Sequence, residues 1–430
     1  MSESVSTRQY VFLGFLTLLN VMNFVDRQLL ASFANFIVPD LGLSNTEFGL
    51  LTGFAFIVFY AAMGLFMGAL ADRFHRPRLV AAALTLWSVL TAASGAARGF
   101  VTLAIPRMLI GVGESALTPT SMSMLADRFP ASRLGFASGV YYMGVPIGVG
   151  VSLLIAGYLG PQIGWRNCFY VLGAVGIGLA AVMLSVKETR PPRPKPVLSP
   201  NVSSAASSEG IARTLIRALR ASPALGLTIA GGVTVHFLLG AAAFDQLWLV
   251  QERGFERAEI ARLSGWIGMA GGVLGSLFGG WGGDWWQRRM GTGRPAFLFW
   301  VMLALAPLNV AYRLVPPETP WFWAGLFTGF FGLGAFYGPT FSTVQELAPP
   351  RIRATVVAFY ILMLNLVGLG LGISLGGVTI DVLQSRDVAE PYTWTLVGFT
   401  LLSLLAIPFF WVAGRRFADD KARLERAAGA

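Results

Sequence analysis

The feature that most constrains this chain is a series of apolar runs, each near the length needed to cross a lipid bilayer, separated by mostly short charged loops. A spanning helix requires about 20 mainly apolar residues. Twelve stretches meet that length, near residues 9–31, 46–70, 78–97, 101–125, 134–159, 167–187, 222–245, 258–282, 295–313, 320–345, 352–378 and 392–414. Asp, Glu, Lys and Arg make up 13% of the 430 residues, against about 25% in soluble domains. That is too little charge to cover a water-facing surface. The solvent for most side chains is lipid, where each backbone polar group must be satisfied within a helix. The expected fold is an all-α polytopic membrane protein. The first run starts at Tyr10 and lacks a small-residue cleavage site, so it reads as a retained helix.

The net charge of +10 invites a nucleic-acid reading, because clustered cations neutralise phosphates. The arginines instead sit in the short loops, mostly those on the same side as the two termini. By the positive-inside rule both termini are expected in the cytoplasm, with the protein in the inner membrane. Cys168 is the only cysteine, so no intrachain disulfide and no CxxC redox or metal pair can form. The sequence predicts no cofactor and no metal site.

Residues 188–221 interrupt the apolar pattern. The run Pro191-Pro192-Arg193-Pro194-Lys195-Pro196 and the pairs Ser203-Ser204 and Ser207-Ser208 cannot build a core and read as a tether. Towards its end Ile211, Leu215 and Leu219 recur at four-residue spacing, with Arg213, Arg217 and Arg220 on other faces. That pattern fits a short helix on the membrane surface or an extension of the seventh span. The expected organisation is a six-helix bundle at 1–187, a cytoplasmic linker at 188–221, a second six-helix bundle at 222–415 and a cytoplasmic tail at 416–430.

The two bundles repeat one another. Gly68, Asp72 and Arg76 after the second span recur as Gly280, Asp284 and Arg288 after the eighth. Pro119 and Arg133 recur as Pro339 and Arg353, the register shifting where the second half has the longer loop Arg313 to Pro320. Parallel repeats of this kind build carriers that rock about a site at the bilayer midplane.

These motifs resemble those of the major facilitator superfamily: the Gly68–Arg76 loop, Arg107-x-x-x-Gly111 in the fourth span, and Gly139, Gly144, Pro146, Gly148 and Gly150 in the fifth. The resemblance covers essentially the whole chain. Within it, Asn23-Phe24-Val25-Asp26-Arg27, Gly111-Val112-Gly113-Glu114-Ser115 and Tyr141-Tyr142-Met143-Gly144-Val145-Pro146-Ile147-Gly148 are most similar to the Spinster-type lysolipid and sphingolipid transporters. An Asn-x-x-Asp-Arg first helix also occurs in organic-anion symporters of the superfamily. Two departures stand out: His75 and Pro77 replace the usual Gly and basic residue, and no basic residue directly follows Asp284. The resemblance implies two pseudo-repeated six-helix bundles and transport by alternating access. It also implies an inner-side gate at Asp72, which would meet the eleventh helix near Arg351 and Arg76 or Arg128, with Asp127, Asp284 and Arg288 in the same gating set. Ordinary loop ion pairing, worth about 0–1 kcal/mol, is the alternative reading of these residues.

An ionisable group at the bilayer centre costs about 3 kcal/mol or more, so each one requires a reason. Asp26, Arg27, Arg107, Glu114 and His236 are the candidates. From the helical rise, Asp26 and Arg107 lie about 6 and about 9 Å to the outer side of the midplane, and Glu114 lies near the centre. Arg107 and Glu114, two turns apart, share a helix face, whereas Asp26 and Arg27 point about 100° apart. An Asp26–Arg107 pair is therefore expected, with Arg27 and Glu114 on a central cavity. Asp26 is the expected proton site and Glu114 either a second one or the counter-ion of Arg27; Arg27 suits a phosphate or carboxylate head group. A static cluster that only fixes packing would also account for these charges. His236 fits both a titrating role and that of a hydrogen-bonded packing residue. Arg107, His236, Tyr141 and Tyr337 complete the expected substrate-binding set; lipid-facing or core packing would equally explain the two tyrosines.

The sequence contains no HExxH, no GxSxG and no Gly-x-x-x-x-Gly-Lys-Ser/Thr run, which argues against a membrane enzyme or a nucleotide-driven pump. The expected function is a proton-coupled secondary transporter of a lysolipid- or sphingolipid-like amphiphile or another organic anion, acting as a monomer among membrane lipids. A sugar-acid proton symporter and a non-transporting sensor on the same fold are the competing readings.

Overall fold

The fold is that of a computed structural model describing residues 5–189, 211–349 and 352–429. Among the described residues it is entirely helical. Ten helices are long and apolar enough to cross a membrane, and two more complete the set. In chain order the spans are α1 (Thr7–Ser32), α2 (Asn45–Gly64), α3 (Arg76–Gly95), α4 (Phe100–Arg128), α5 (Arg133–Tyr158), α6 (Gly160–Leu184), α7 (Pro223–Gln251), α8 (Arg257–Met290), α9 (Arg294–Ala311), α10 (Pro320–Leu347), α11 (Thr355–Ser385) and α12 (Pro391–Arg426). The chain is a multi-pass membrane protein with the twelve-helix fold. The helices agree with the apolar runs to within a few residues, apart from ends that continue past the apolar stretch. The helix of α2 runs on to Arg73, α8 to Met290 and the last helix to Gly429. Both termini lie on one face, here the terminal face; the opposite one is the far face.

Packing repeats as the motifs do. α1 lies on α5, α2 on α4 and α3 on α6; likewise α7 lies on α11, α8 on α10 and α9 on α12. The halves meet through α2 with α11 and α5 with α8, each pair the counterpart of the other. Glycine makes the second contact possible. A Cβ on Gly150 would meet the Gly265 carbonyl oxygen at 2.9 Å, and one on Gly265 would meet that of Gly150 at 3.0 Å. In lipid, where apolar burial drives no association, such close approach supplies the dispersion contacts that hold helices together. Towards the far face a single apolar core crosses the boundary, and the rings of Phe48 and Phe244 meet edge to face at 5.6 Å.

The helix Ile211–Ala221 is a separate element. Ser222 is extended (φ −131°, ψ 90°) and breaks it from α7. Leu215 and Leu219 pack on the core of the second half, while Arg213, Arg217 and Arg220 are exposed. The expected tether, together with Arg351, lies outside the described residues. α8 starts on Glu256, whose carboxylate accepts from the backbone N–H groups of Ala258 and Glu259 at 2.9 and 2.7 Å. These bonds, that of Ala258 first, hold the Glu256 carboxyl below the usual carboxylate range. α11 contains a π-helical stretch, Met363–Gly370, within which Asn365 Nδ2 donates to the Ile361 carbonyl at 2.9 Å.

Gly148 offers a direct test of the glycine contacts, because a Cβ there would stand 2.6 Å from the Val21 carbonyl oxygen and 2.7 Å from Phe24 Cβ. Gly148→Val should lower the thermal unfolding midpoint in detergent, in keeping with an overpacking cost of about 1–3 kcal/mol. Gly178→Ala, where an added Cβ meets nothing within 4 Å, should leave it unchanged. Equal midpoints for the two variants would contradict this packing.

Candidate functional site

Two glycines of the fourth span build the surroundings of the buried charges. A Cβ on Gly111 would meet the Phe56 carbonyl oxygen at 2.7 Å and the Tyr60 nitrogen at 2.9 Å; one on Gly113 would meet the Ala83 carbonyl oxygen at 3.0 Å and Trp87 Cβ at 3.1 Å. Gly111 thus seats α2 against α4, and Gly113 seats α3. Gly144 does the same for α5 and α1, where Asn20 Nδ2 donates to the Tyr141 carbonyl at 2.8 Å.

Within this frame Arg27 donates to Glu114 Oε2 from Nε at 3.3 Å and from Nη2 at 3.2 Å. Glu114 is fully buried, whereas the Arg27 side chain keeps 20% exposure deep within the bundle. The Arg27 guanidinium lies over the rings of Tyr60 at 4.4 Å and of Phe24 and Phe56 at 5.0 Å each. The charge is thus held by one carboxylate and three aromatic faces, a setting in which cation–π attraction is strengthened by desolvation. Phe24 was legible from its i−3 spacing to Arg27; Phe56 was not, since only the α2–α4 contact brings it there.

The expected Asp26–Arg107 pair does not form. Arg107 donates to the backbone carbonyls of Asp26 at 3.3 Å and Arg27 at 3.4 Å, and its guanidinium lies 5.3 Å from the Phe56 ring. The Asp26 carboxylate turns towards Trp87 and Thr91 of α3. Both its oxygens are buried without a hydrogen-bond partner among the described residues, as are Trp87 Nε1 and Thr91 Oγ1. Both residues lie at one level of the bundle, but the long guanidinium reaches past the short carboxylate to the helix backbone.

In the second half His236 and Tyr337 come together. The Gly232 carbonyl can only accept, so His236 Nδ1 carries the proton it donates at 2.9 Å, leaving Nε2 to accept from the Tyr337 hydroxyl at 3.3 Å. His236 is buried against the rings of Phe336 and Tyr337. Tyr337 lies within electrostatic range of Arg27, across the boundary between halves. Tyr141 does not join this group. It is fully buried in the first half, with its hydroxyl 3.2 Å from Thr118 Oγ1.

At the terminal face Arg76 pairs with Asp127 at 2.6 Å and Glu188 at 2.5 Å. Arg128 caps the Lys187 carbonyl at 2.7 Å and lies 3.7 Å from the Phe12 ring. The side chain of Asp72 lies outside the described residues. The repeat expectation fails at Arg288, which is exposed. Asp284 pairs instead with Arg294 at 2.8 Å, and Arg294 also binds Glu346. α8 continues through Met290 and turns at Gly291 (φ 67°), which returns the first residue of α9 to the carboxylates. Glu188, Arg294 and Glu346 were missed because in sequence they read as ordinary loop charges.

Two repeated six-helix halves that meet along glycine-lined helix pairs, with a buried charge pair inside the first, have the architecture of a membrane carrier rather than an enzyme. The chain belongs to the Major Facilitator Superfamily, whose family model matches residues 16–373. It is 29% identical over 426 residues to an MFS-type efflux pump of Mycolicibacterium smegmatis, covering 96% of this chain and 94% of that protein. It is 29% identical over 287 residues to a hexuronate transporter of Bacillus subtilis, covering 66% of each. The crystal structure of a bacterial homolog of the human lysosomal transporter Spinster, inward-facing and occupied, aligns with a TM-score of 0.80 at 25% identity, over 97% of this chain and 99% of that one. The chain is a transporter of this superfamily that resembles the Spinster family.

Breaking a buried ion pair from one side leaves the other charge uncompensated, at a typical cost of about 3–5 kcal/mol. Glu114→Ala should therefore lower the unfolding midpoint in detergent more than the double variant Arg27→Ala/Glu114→Ala does. Additive losses in this double-mutant cycle would show that the two side chains are not coupled.

Proposed function

We propose that this protein is a proton-coupled secondary transporter that moves an amphiphilic organic anion of the lysolipid or sphingolipid type by alternating access. The single observation that carries the reading is the Arg27–Glu114 pair inside the ring of Phe24, Phe56 and Tyr60. Arg27 presents a fork of donors suited to a phosphate or carboxylate, and the three rings offer apolar walls to the chain attached to it. Glu114 holds that fork until the anionic head replaces it. Tyr337 lies within electrostatic range of Arg27 from the second half and is hydrogen-bonded to His236, so a ligand bound to Arg27 would extend towards residues of both halves.

Proton coupling is assigned to Asp26. Both oxygens of its buried carboxylate lack a hydrogen-bond partner among the described residues, and Arg107, the cation whose charge acts on it, is engaged with backbone carbonyls. When the halves rock, any change in the distance to Arg107 changes the proton affinity of Asp26, which links protonation to conformation. The protein is proposed to reside in the inner membrane as a monomer among membrane lipids, with both termini in the cytoplasm.

The hexuronate transporter of Bacillus subtilis supports a second reading, a sugar-acid symporter. A sugar acid presents hydroxyls along its length, whereas of the three rings over the Arg27 guanidinium only Tyr60 carries a hydroxyl, which favours the amphiphile. Binding of a panel of lysophospholipids and sphingoid phosphates should exceed that of hexuronates by tenfold or more, and Arg27→Ala should remove the preference; the reverse order would establish the symporter reading. In proteoliposomes, Asp26→Asn should abolish pH-dependent uptake while binding persists. Uptake that keeps its pH dependence would remove Asp26 from the coupling role. Absence of counterflow of a bound labelled ligand in the parent protein would establish a sensor.

A further inference from the structure

The N-terminus of α2 is completed by a residue of the other half. A helix start leaves four backbone N–H groups without partners inside the helix. At α2 the Ser44 hydroxyl accepts from the Glu47 N–H at 3.1 Å, and the Glu47 carboxylate accepts from the Ser44 N–H at 3.0 Å. That capping box leaves the N–H groups of Asn45 and Thr46, and both donate to Asp381 of α11, to Oδ1 at 3.1 Å and Oδ2 at 2.8 Å. The Asn45 side chain reinforces the joint: Nδ2 donates to Asp381 Oδ1 at 2.9 Å and to Gln384 Oε1 at 3.1 Å, and Oδ1 accepts from the Tyr392 hydroxyl at 2.7 Å.

The surrounding backbone makes this contact intimate. A Cβ on Gly377 would run into the Asn45 carbonyl, and one on Gly49 would meet the Ile373 carbonyl oxygen at 2.9 Å. A carboxylate at a helix N-terminus gains both hydrogen bonds and the favourable end of the helix dipole. These bonds join α2 to α11, one of the two helix pairs through which the halves meet, at the far face and nowhere near the Arg27 site.

We propose that Asp381 is the far-face latch of the transport cycle: it locks the α2 N-terminus to α11 in this conformation and must let go before the site opens to that face. It is the reciprocal of the arrangement expected at Asp72, where a carboxylate at the end of α2 would meet the start of α11. The same two helices then carry a latch at each end, one for each side of the membrane. The proposal rests on the alternating-access reading above, but its test needs neither substrate nor transport.

Spin labels at Gln162→Cys in the first half and Glu318→Cys in the second, in a Cys168→Ser background, report the far-face separation by pulsed electron resonance. Asp381→Ala should increase the long-distance population about tenfold, in line with the loss of charge-assisted bonds. Asn45→Asp, which sets a second carboxylate against the first while keeping Asp381, should produce the same shift and serves if Asp381→Ala does not fold. Asp40→Asn removes a far-face charge that pairs with Arg166 inside one half and should leave the distribution unchanged. A distribution that stays put in both latch variants, or moves equally with Asp40→Asn, would overturn the latch. A distribution that shifts in a protein without counterflow overturns the transport reading alone.

Discussion

The constraint on which the rest of the structure depends is the backbone donor left over at the start of each helix. Mid-helix, the main chain satisfies itself; at a helix N-terminus it cannot, and near lipid water is scarce. This chain repeatedly fills that need with a carboxylate brought from elsewhere. Asp381 serves α2, Glu188 serves α3 through the Arg76 N–H, Asp420 serves α7 through the Ala224 N–H, and Glu252 serves α12 through Tyr392 and Thr393. Each bond ties the start of one helix to a residue far away in sequence. The helix ends thereby become the fasteners of the bundle.

Which ends are fastened within a half and which across the boundary decides what can move. Glu188, Asp420 and Glu252 join elements of the same half, so they stiffen each bundle as a body. Asp381 joins opposite halves, as do Asn35, which donates to the Gln246 carbonyl, and Arg262, which donates to the Gly157 carbonyl at 3.1 Å. All three lie at the far face, over the apolar core that the halves share there. The central polar groups sit between this joint and the terminal face, with Arg27 and Glu114 in the first half and Tyr337 and His236 in the second.

The twelve spans, the repeat and the five central ionisable residues were all legible in the sequence, because lipid makes both apolar length and buried charge conspicuous. Partner choice was not. Asp26 and Arg107 share a level, yet side-chain length and direction pair Arg107 with carbonyls and Arg27 with Glu114. The fasteners were harder still. Asp381, Glu252 and Glu188 stand at span ends, where a charge is expected and draws no attention, and each acts on a helix start distant in sequence. Arg288 shows the opposite error: the repeated motif pointed to it, while three-dimensional return of the chain at Gly291 gave its place to Arg294.

The π-helical stretch Met363–Gly370 bears on the mechanics of α11. Where each carbonyl waits five residues for its donor, the ladder holds a register that an α-helix does not share, and Asn365 takes up the Ile361 carbonyl with its side chain. Such a segment interrupts the α-helical ladder between the terminal-face end of α11 and Asp381. In the proposed cycle this break would let the two ends of one helix respond separately to events on opposite sides of the membrane.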